Sequence, residues 1–504
     1  MKILSASYVS LAILLLSFSV ATQLLFNANN IKWAFVYHSF KQPKLTAQPK
    51  YTIMKKNLHL LTVALLLLLT FNACKKDDLK GGKPQPHTGG YVGNEMVMYW
   101  NARVNTVLGA PMNQPTRARL YAIMQIAVHD ALNSIVPKYE RYALTDVREQ
   151  FASPDAAVAS AAYNVIKGLN RQGTFPIEDW YNESLVNVPY GEARTLGEDL
   201  GKKAADAIIA KREDDGFANI ILASPTPPNG TTPGAYRQTN VNNMRFLPNW
   251  GTVVQPFALQ NNEQFRPEGP HPVTSSEYAV EYNEVKAKGA RVGSTRTEEE
   301  SNLARFWAEN RPSIIWNDLV RGVVAERKMD AWKTARLFAI VHTSMADVIT
   351  SGLNAAYHFY YWRPESAIHE GAADNNEATV ADPDWLPFLI EVTNTANPMG
   401  QFVSPPQPEY PSAFTMYGGA VLGSLLSFFD EGSPFGLDDL RISVNLTSAS
   451  SNTSRHYTSL KQAVVDNSVS KIYAGWNFRK SVVDGQEMGK KIAEYVYANY
   501  FTEE

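Results

Sequence analysis

The sequence predicts an all-α protein, a helical bundle of the non-coiled-coil kind that extends from about residue 96 to residue 504. Apolar residues recur at spacings of three and four over long stretches, and we find no convincing run with the alternating pattern of strands. Residues that cap helices stand at the starts of several of these stretches. A chain of 504 residues, of which 45% are hydrophobic and 19% charged, can bury a large core.

The first predicted helices show the periodicity clearly. Residues 115–135 place apolar side chains on one face, which predicts a core helix. Residues 153–169 and 196–214 are rich in alanine and predict two further helices, the first of them capped by Ser153.

The chain then changes character. Residues 216–275 are rich in proline and glycine and predict a long irregular segment that covers the bundle. Helices resume at Thr297, which forms a capping box with Glu300. Residues 330–350 are strongly apolar and predict another buried helix.

The charge balance excludes one class of partner. The chain has 47 basic and 49 acidic residues, a formal net charge of −2, and no long run of like charge. We therefore expect no binding to nucleic acid.

An export signal is predicted near the N-terminus. Residues 54–73 combine a basic start, a short leucine-rich stretch and a small residue before Cys74, which predicts a signal peptide. Cys74 resembles the lipidated cysteine of bacterial lipoproteins, and residues 75–78 resemble the acidic surface-export tag of Bacteroidetes. An ordinary signal peptide or a membrane anchor that ends near a cysteine is the alternative.

The predicted organisation follows from that signal. Residues 1–53 are either an over-extended start or a separate anchor, residues 74–95 form a flexible tether, and residues 96–504 form the helical domain. We expect an exported protein, attached by lipid to the bacterial outer membrane and exposed at the cell surface. Because Cys74 is the single cysteine, the monomer has no internal disulfide.

Three separated segments carry a family resemblance. They read AYHFYYWRPESAI (356–368), PEYPSAFTMYGGAVLGSLLSFF (408–429) and SKIYAGWNFRKSVVDGQEMGKKIAEYV (470–496). Their order resembles the vanadium-dependent haloperoxidase and type 2 phosphatidic acid phosphatase superfamily, especially its bacterial secreted members. The resemblance covers the chain from about residue 95 to the end, and it implies the helical fold of that superfamily.

The resemblance also implies the position of an oxyanion site. The family holds vanadate or a phosphoryl group with a lysine, two arginines, a serine and a glycine, and two histidines perform the chemistry. In this chain the first arginine is present as Arg363 and the serine as Ser412, with the backbone amide of Ala413 beside it. Lys471 stands at the second arginine and keeps the charge but loses the bidentate fork.

The remaining family positions are degenerate. The family lysine falls on Ala356, the acid or base histidine on Phe414 and the covalent histidine on Asn477. Loss of one oxyanion donor typically lowers a rate by about 10² to 10³. The resemblance therefore implies an impaired or inactive enzyme with no catalytic residue in place, no metal site and no vanadate cofactor.

The residues that remain allow two interpretations, weak binding of an anion or a purely structural role. Arg363, Ser412, Ala413 and Lys471 could together hold phosphate or sulfate through charge-assisted bonds. Alternatively, the two cations pair with carboxylates or are solvated, Ser412 only starts a helix, and Phe414 fills the pocket.

Other histidines are poor substitutes for the missing ones. His129 and His342 lie in apolar helices, where a buried structural role is favoured, and the same holds for the helical Asp130 and Asp347. Three more are equally poor candidates: His358 lies on a different face from Arg363, His369 lies beyond the proline, and His456 is 15 residues before Lys471.

Three functions remain in competition. The first is a non-catalytic surface protein that binds a protein or glycan partner. The second is an active peroxidase or phosphatase with a rearranged site. The third is a carbohydrate-binding surface built from the 24 tyrosines and 10 tryptophans, which is less favoured because residues 357–362 are typical of a buried helix.

Overall fold

The computed structural model describes residues 84–108, 112–169, 173, 175–220, 228–239, 247–389, 404–430, 438–448 and 451–504. The predicted signal peptide and Cys74 lie outside these residues. So does the tether up to residue 83. Within the described part, no helix is long and apolar enough to cross a membrane.

The fold is mostly helical, as predicted. In chain order the helices are α1 (Glu95–Leu108), α2 (Gln114–Ile135), α3 (Pro154–Gly168), α4 (Ile177–Ser184), α5 (Glu192–Lys211), α6 (Trp250–Val253), α7 (Ser276–Lys288), α8 (Glu298–Glu309), α9 (Pro312–Arg327), α10 (Ala331–Phe359), α11 (Pro364–His369), α12 (Ala413–Phe429), α13 (Leu460–Tyr473) and α14 (Arg479–Asn499).

Several helix starts follow from capping residues that the sequence identifies. Ser153 accepts a hydrogen bond from the amide of Ala156 and caps α3. Thr297 and Glu300 form the predicted capping box at the start of α8. The covering segment is largely irregular and contains only α6 and a short 3-10 turn in its described part.

The structure adds a β-hairpin that was not predicted from the sequence. Strand β1 (Arg441–Thr447) pairs antiparallel with β2 (Ser454–Ser459). Strand β1 alternates exposed and buried residues, with Ile442, Val444 and Leu446 facing the core. The sequence of β1 therefore shows the alternation of apolar and polar residues that is typical of a strand. This pattern covers only seven residues, and the segments on both sides of the hairpin are helical.

The second difference concerns residues 357–362, which were expected to be helical. Helix α10 ends at Phe359 because Tyr360 adopts the left-handed conformation, with φ of 50°. Tyr361 and Trp362 are buried, as expected, but they lie in the connection to α11. Arg363, which follows Trp362, is buried as well.

The long helix α10 is the centre of the bundle. It packs against α2 on one side and against α12 and α14 on the other. Helices α12 and α14 approach each other closely because both carry glycines at the contact. A Cβ atom on Gly489 would lie 2.2 Å from the carbonyl oxygen of Met416, and one on Gly419 would lie 2.0 Å from that of Gln486. Helices α12 and α14 therefore pack closely, and the candidate site lies near their N-terminal ends.

Candidate anion site

The structure brings the predicted site residues together at the starts of α11, α12 and α14. Arg363 precedes α11, Ser412 precedes α12, and Asn477 lies in the turn between α13 and α14. The amide of Ser412 donates to the carbonyl of Ser481 over 3.1 Å. The amide of Trp476 donates to the carbonyl of Lys471 over 3.0 Å. The family pattern thus corresponds to one place in this fold.

Arg363 is buried and directs its guanidinium at backbone carbonyls. Its Nη1 atom donates to the carbonyl of Trp476 over 2.9 Å, and its Nε and Nη2 atoms donate to the carbonyl of Gln407 over 3.1 and 2.9 Å. Burial lowers the pKa of Arg363 to about 10, and the nearby Glu409 opposes that shift. The guanidinium therefore holds two chain segments together.

Lys471 is fully buried on the last turn of α13. Its Nζ atom donates to the carbonyl of Trp307 over 3.0 Å. The rings of Phe414 and Trp476 lie 4.9 and 5.8 Å from the same atom. Burial lowers the pKa of Lys471 to about 7. An ammonium group between aromatic rings and one carbonyl is costly to keep charged, which explains that shift.

The resemblance aligns Phe414 with the acid or base histidine of the family. Its ring packs against Trp476 with centroids 5.6 Å apart. The two rings belong to a small apolar cluster with Ala304, Leu389 and Ala474. The place of an imidazole is therefore taken by apolar packing, and Phe414 provides no proton donor or acceptor.

The resemblance aligns Asn477 with the covalent histidine of the family, and the structure shows Asn477 bound to a carboxylate. Its Nδ2 atom donates to Oε1 of Glu409 over 2.7 Å. The amide of Phe478 donates to the same oxygen over 3.0 Å. Glu409 is 1% exposed, and burial raises the pKa of this carboxyl to about 7 against the opposing effect of Arg363.

Glu409 is a residue of the site that was not predicted from the sequence. It lies three residues before Ser412, in a segment that has to approach residue 477 if the family arrangement holds. The sequence offered one indication of this role, a single acidic residue in a proline-rich stretch. The spacing of the family motif does not identify that residue as part of the site.

Ser412 and Ala356 complete the predicted set. Ser412 is 1% exposed, and its hydroxyl has no hydrogen-bond partner within the described residues. It precedes α12 without capping the helix through its side chain. Ala413 is the first residue of α12. Ala356 is buried near the end of α10, so the position of the family lysine offers only a methyl group.

The buried histidines have structural surroundings elsewhere in the bundle. His342 lies 2.8 Å from Oδ1 of Asn317 through Nε2 and stacks on Tyr121, and burial lowers its pKa to about 3. His129 lies 3.1 Å from Oδ1 of Asp130.

Three other histidines have partners or surroundings of their own. His369 contacts the carbonyl of Trp385 over 2.6 Å, and His456 lies on β2 beside Asn445. His358 is exposed near the end of α10. In the described part of the chain, no hydrogen bond joins any of these five histidines to Arg363 or Ser412.

The helical aspartates hold loops, as the sequence favoured. Asp347 accepts from three consecutive amides, those of Phe257, Ala258 and Leu259. Asp130 likewise accepts from the amides of residues 142, 143 and 144. Among the described residues, no cluster of three or more histidine, cysteine, aspartate or glutamate side chains could hold a metal ion.

The residues present do not fit vanadate. Asn477 aligns with the residue that would bond to vanadium. Its side-chain amide already donates a hydrogen bond to the carboxylate of Glu409. Lys471 is directed at Trp307, and Phe414 covers it. A multiply charged oxyanion would meet Glu409 as a like charge while the two cations are held by carbonyl groups.

Comparisons with known proteins support the predicted superfamily. Residues 336–502 match the family described as the VCPO second helical-bundle domain. Vanadium chloroperoxidase of Curvularia inaequalis is 23% identical over 488 residues, which cover 76% of this chain and 78% of that protein.

Two solved structures show the same fold. The first bacterial vanadium-dependent iodoperoxidase is 20% identical with a TM-score of 0.63, over 83% of this chain and 99% of that one. A holo-type bacterial vanadium-dependent chloroperoxidase is 14% identical with a TM-score of 0.58, over 81% of this chain and 98% of that one. The predicted helical fold is thereby confirmed, and residues 336–502 match the helical-bundle domain of vanadium chloroperoxidases.

Proposed function

We propose that this protein is an exported lipoprotein that keeps the haloperoxidase fold without vanadate-dependent catalysis and acts as a surface protein that binds a partner. The observation that carries the proposal is the hydrogen bond between Asn477 and Glu409, since a carboxylate binds the residue that the resemblance aligns with the family's covalent histidine.

The directions of the two cations support this proposal. All three nitrogens of the Arg363 guanidinium donate to carbonyls, and Lys471 donates to a carbonyl beneath two aromatic rings. Both side chains are buried, at 4% and 0% exposure. They serve the packing of the helix ends, whereas an enzyme of this family needs them to face the oxyanion.

The proposed cellular location follows from residues outside the described structure. Cys74 and the preceding residues 54–73 have the pattern of a lipoprotein signal. Metabolic labelling with a palmitate analogue tests this part. We expect labelling of the natural protein and none of the Cys74→Ser variant, and equal labelling of both would contradict lipid attachment.

The loss of catalysis is tested by two assays on the purified protein. We expect no halide oxidation by hydrogen peroxide with added vanadate, and no hydrolysis of a phosphate monoester. We also expect no saturable rise in melting temperature with orthovanadate or phosphate beyond that given by chloride at the same ionic strength.

A positive result would favour the alternative, a peroxidase or phosphatase with a rearranged site. Turnover or saturable stabilisation that is lost in Arg363→Lys would place the anion at Arg363 and contradict the proposal. Lysine keeps the charge in this variant but lacks the fork that reaches both carbonyls.

A further inference from the structure

The N-terminus of α14 is satisfied by two buried carboxylates. Helix α14 begins at Arg479, and its cap residue Phe478 has no side-chain acceptor for the free amides of the first turn. The amide of Phe478 donates to Oε1 of Glu409 over 3.0 Å, and the amide of Lys480 donates to Oε2 of Glu281 over 2.8 Å. Both acceptors come from other parts of the chain.

The two carboxylates differ in their surroundings. Glu281 is 5% exposed on α7 and receives the amide of Lys480. Glu409 is 1% exposed and also receives Nδ2 of Asn477. Arg363 is the charge that most lowers the pKa of Glu409. Burial raises the pKa of Glu409 to about 7, and the charge of Arg363 together with hydrogen bonds from Asn477 and Phe478 opposes that shift.

In the part of the chain that the structure describes, some buried polar atoms of Glu409, Ser412 and Asn477 lack a hydrogen-bond partner. Oε2 of Glu409, Oγ of Ser412 and Oδ1 of Asn477 are buried and have no hydrogen bond within the described residues. The hydroxyl group of Tyr361, which interacts electrostatically with Glu409, is also buried without a partner among the same residues. The Glu409 side chain therefore does not provide hydrogen bonds for all of these buried polar groups.

Burial of an ionised carboxylate is unfavourable unless donors compensate for lost water. Here the donors are present and fixed by the backbone, because Phe478 and Asn477 belong to the turn that Arg363 holds through Trp476. We therefore expect Asn477 Nδ2 and the amide of Phe478 to keep their positions without the Glu409 side chain. These two donors would then fit the carboxylate of another molecule.

We infer that the N-terminus of α14 is a built carboxylate-binding site, formed by Asn477 and Phe478 beside the buried charge of Arg363, whose occupant is the chain's own Glu409. Removal of this side chain makes the site available to a small free carboxylate such as formate or acetate. The inference rests on the proposed function in one respect, that no external anion occupies this place in the natural protein.

Chemical rescue of the full-length Glu409→Ala variant tests the inference. The substitution removes the acceptor of the Phe478 amide and leaves Asn477 Nδ2 with only the backbone carbonyl of residue 409, 3.3 Å away, so we expect a fall of several degrees in melting temperature. We expect formate to restore part of this loss in a saturable way. Formamide, which has the same size without the charge, and chloride at equal ionic strength should not restore it.

Glu409→Gln is the matched control. Glutamine fills the same space and offers an amide oxygen to Phe478, so formate should change its melting temperature no more than chloride does. A response of Glu409→Ala to formate that equals that of Glu409→Gln would overturn the inference.

If Glu409→Ala does not fold in buffer, the yield of soluble protein on refolding replaces the melting temperature. Formate should raise this yield above that with formamide, and equal yields would overturn the inference. The proposed function is tested separately, because it concerns vanadate and the natural protein. Vanadate-dependent halide oxidation by the natural protein would contradict the proposed function. The response of Glu409→Ala to formate would still decide the inference about the carboxylate site.

Discussion

Nδ2 of Asn477 lies 2.7 Å from Oε1 of Glu409, and this contact joins the position of a family histidine to a carboxylate of the same chain. Histidine at this position would act on an external oxyanion, whereas asparagine donates to an internal carboxylate. The two residues explain together why the fold persists while the chemistry is expected to be lost.

Ionisation of Glu409 should weaken the fold. Burial raises its pKa from 4.5 to about 7, so the folded protein holds a proton that the unfolded chain releases between these values. The stabilising contribution is present below pH 4.5 and is lost as pH rises through 7. In Glu409→Gln we expect the fall in free energy of unfolding across this window to be smaller by about 1.4 kcal/mol per pH unit.

Urea unfolding at a series of pH values between 5 and 8 measures this difference. Part of the slope should remain in the variant, because burial also raises the pKa of Glu281 to about 7. Identical slopes for the natural protein and Glu409→Gln would show that Glu409 does not titrate in this way.

Lys471 should produce the opposite dependence at higher pH. Burial lowers its pKa from 10.5 to about 7, so the unfolded chain binds a proton that the folded protein does not. The stabilising contribution is therefore present at high pH and is lost as pH falls through 7. We expect Lys471→Met to remove a rise in stability of about 1.4 kcal/mol per pH unit between pH 7 and 9.

A surface lysine provides the control for this experiment. Lys490 on α14 is one-third exposed and pairs with Glu494. Lys490→Met should keep the pH dependence of the natural protein in denaturant unfolding. If both variants behave alike, the burial of Lys471 is not the cause.

Return of the two family histidines should not return catalysis while Glu409 is present. In the double variant Phe414→His and Asn477→His, the new imidazole at position 477 would pair with the Glu409 carboxylate. Ala356 and Lys471 would remain unlike the family. We expect no halide oxidation with vanadate and peroxide, measured beside a family haloperoxidase as positive control, and turnover by the double variant would refute this expectation.

The close contact of α12 and α14 should tolerate no side chain at Gly489. A Cβ atom there would lie 2.2 Å from the carbonyl oxygen of Met416 and 2.9 Å from the amide nitrogen of Ala420, both of them backbone atoms. We expect Gly489→Ala to lower the free energy of unfolding by about 2 kcal/mol or more. Gly90 is the control, because a Cβ atom added there would meet no other atom within 4 Å, and Gly90→Ala should change this free energy by less than about 0.5 kcal/mol.

Thermal or urea unfolding of the two glycine variants gives this comparison directly. Equal stability of Gly489→Ala and Gly90→Ala would mean that the helices can separate without cost, contrary to their close packing.

Much of the fold could be predicted from sequence because its signals are local. The cap of α3 at Ser153 and the capping box at Thr297 depend on residues three positions apart, and both are present in the structure. The hairpin at Ile442 and Val444 was missed because its alternating pattern covers only one short strand. The end of α10 at Tyr360 was missed because a left-handed tyrosine has no local signature.

The site was less predictable because its contacts are distant in sequence. Arg363, Ser412, Lys471 and Asn477 could be selected from family spacing. The partner of Asn477 is 68 residues away, and that of Lys471 is 164 residues away. Only the packing of helices shows that Glu409 lies at Asn477 and that a carbonyl of Trp307 receives Lys471.

Titration of the purified natural protein with orthovanadate, followed by vanadium NMR, tests the central claim most directly. Bound vanadate broadens and removes its free signal, so the measurement detects binding without turnover. We expect the free signal to remain as narrow with this protein as with Asn477→Leu, whose side chain cannot bond to vanadium. Loss of the signal with the natural protein, and its persistence with the variant, would show that this site still holds the oxyanion and would contradict the account.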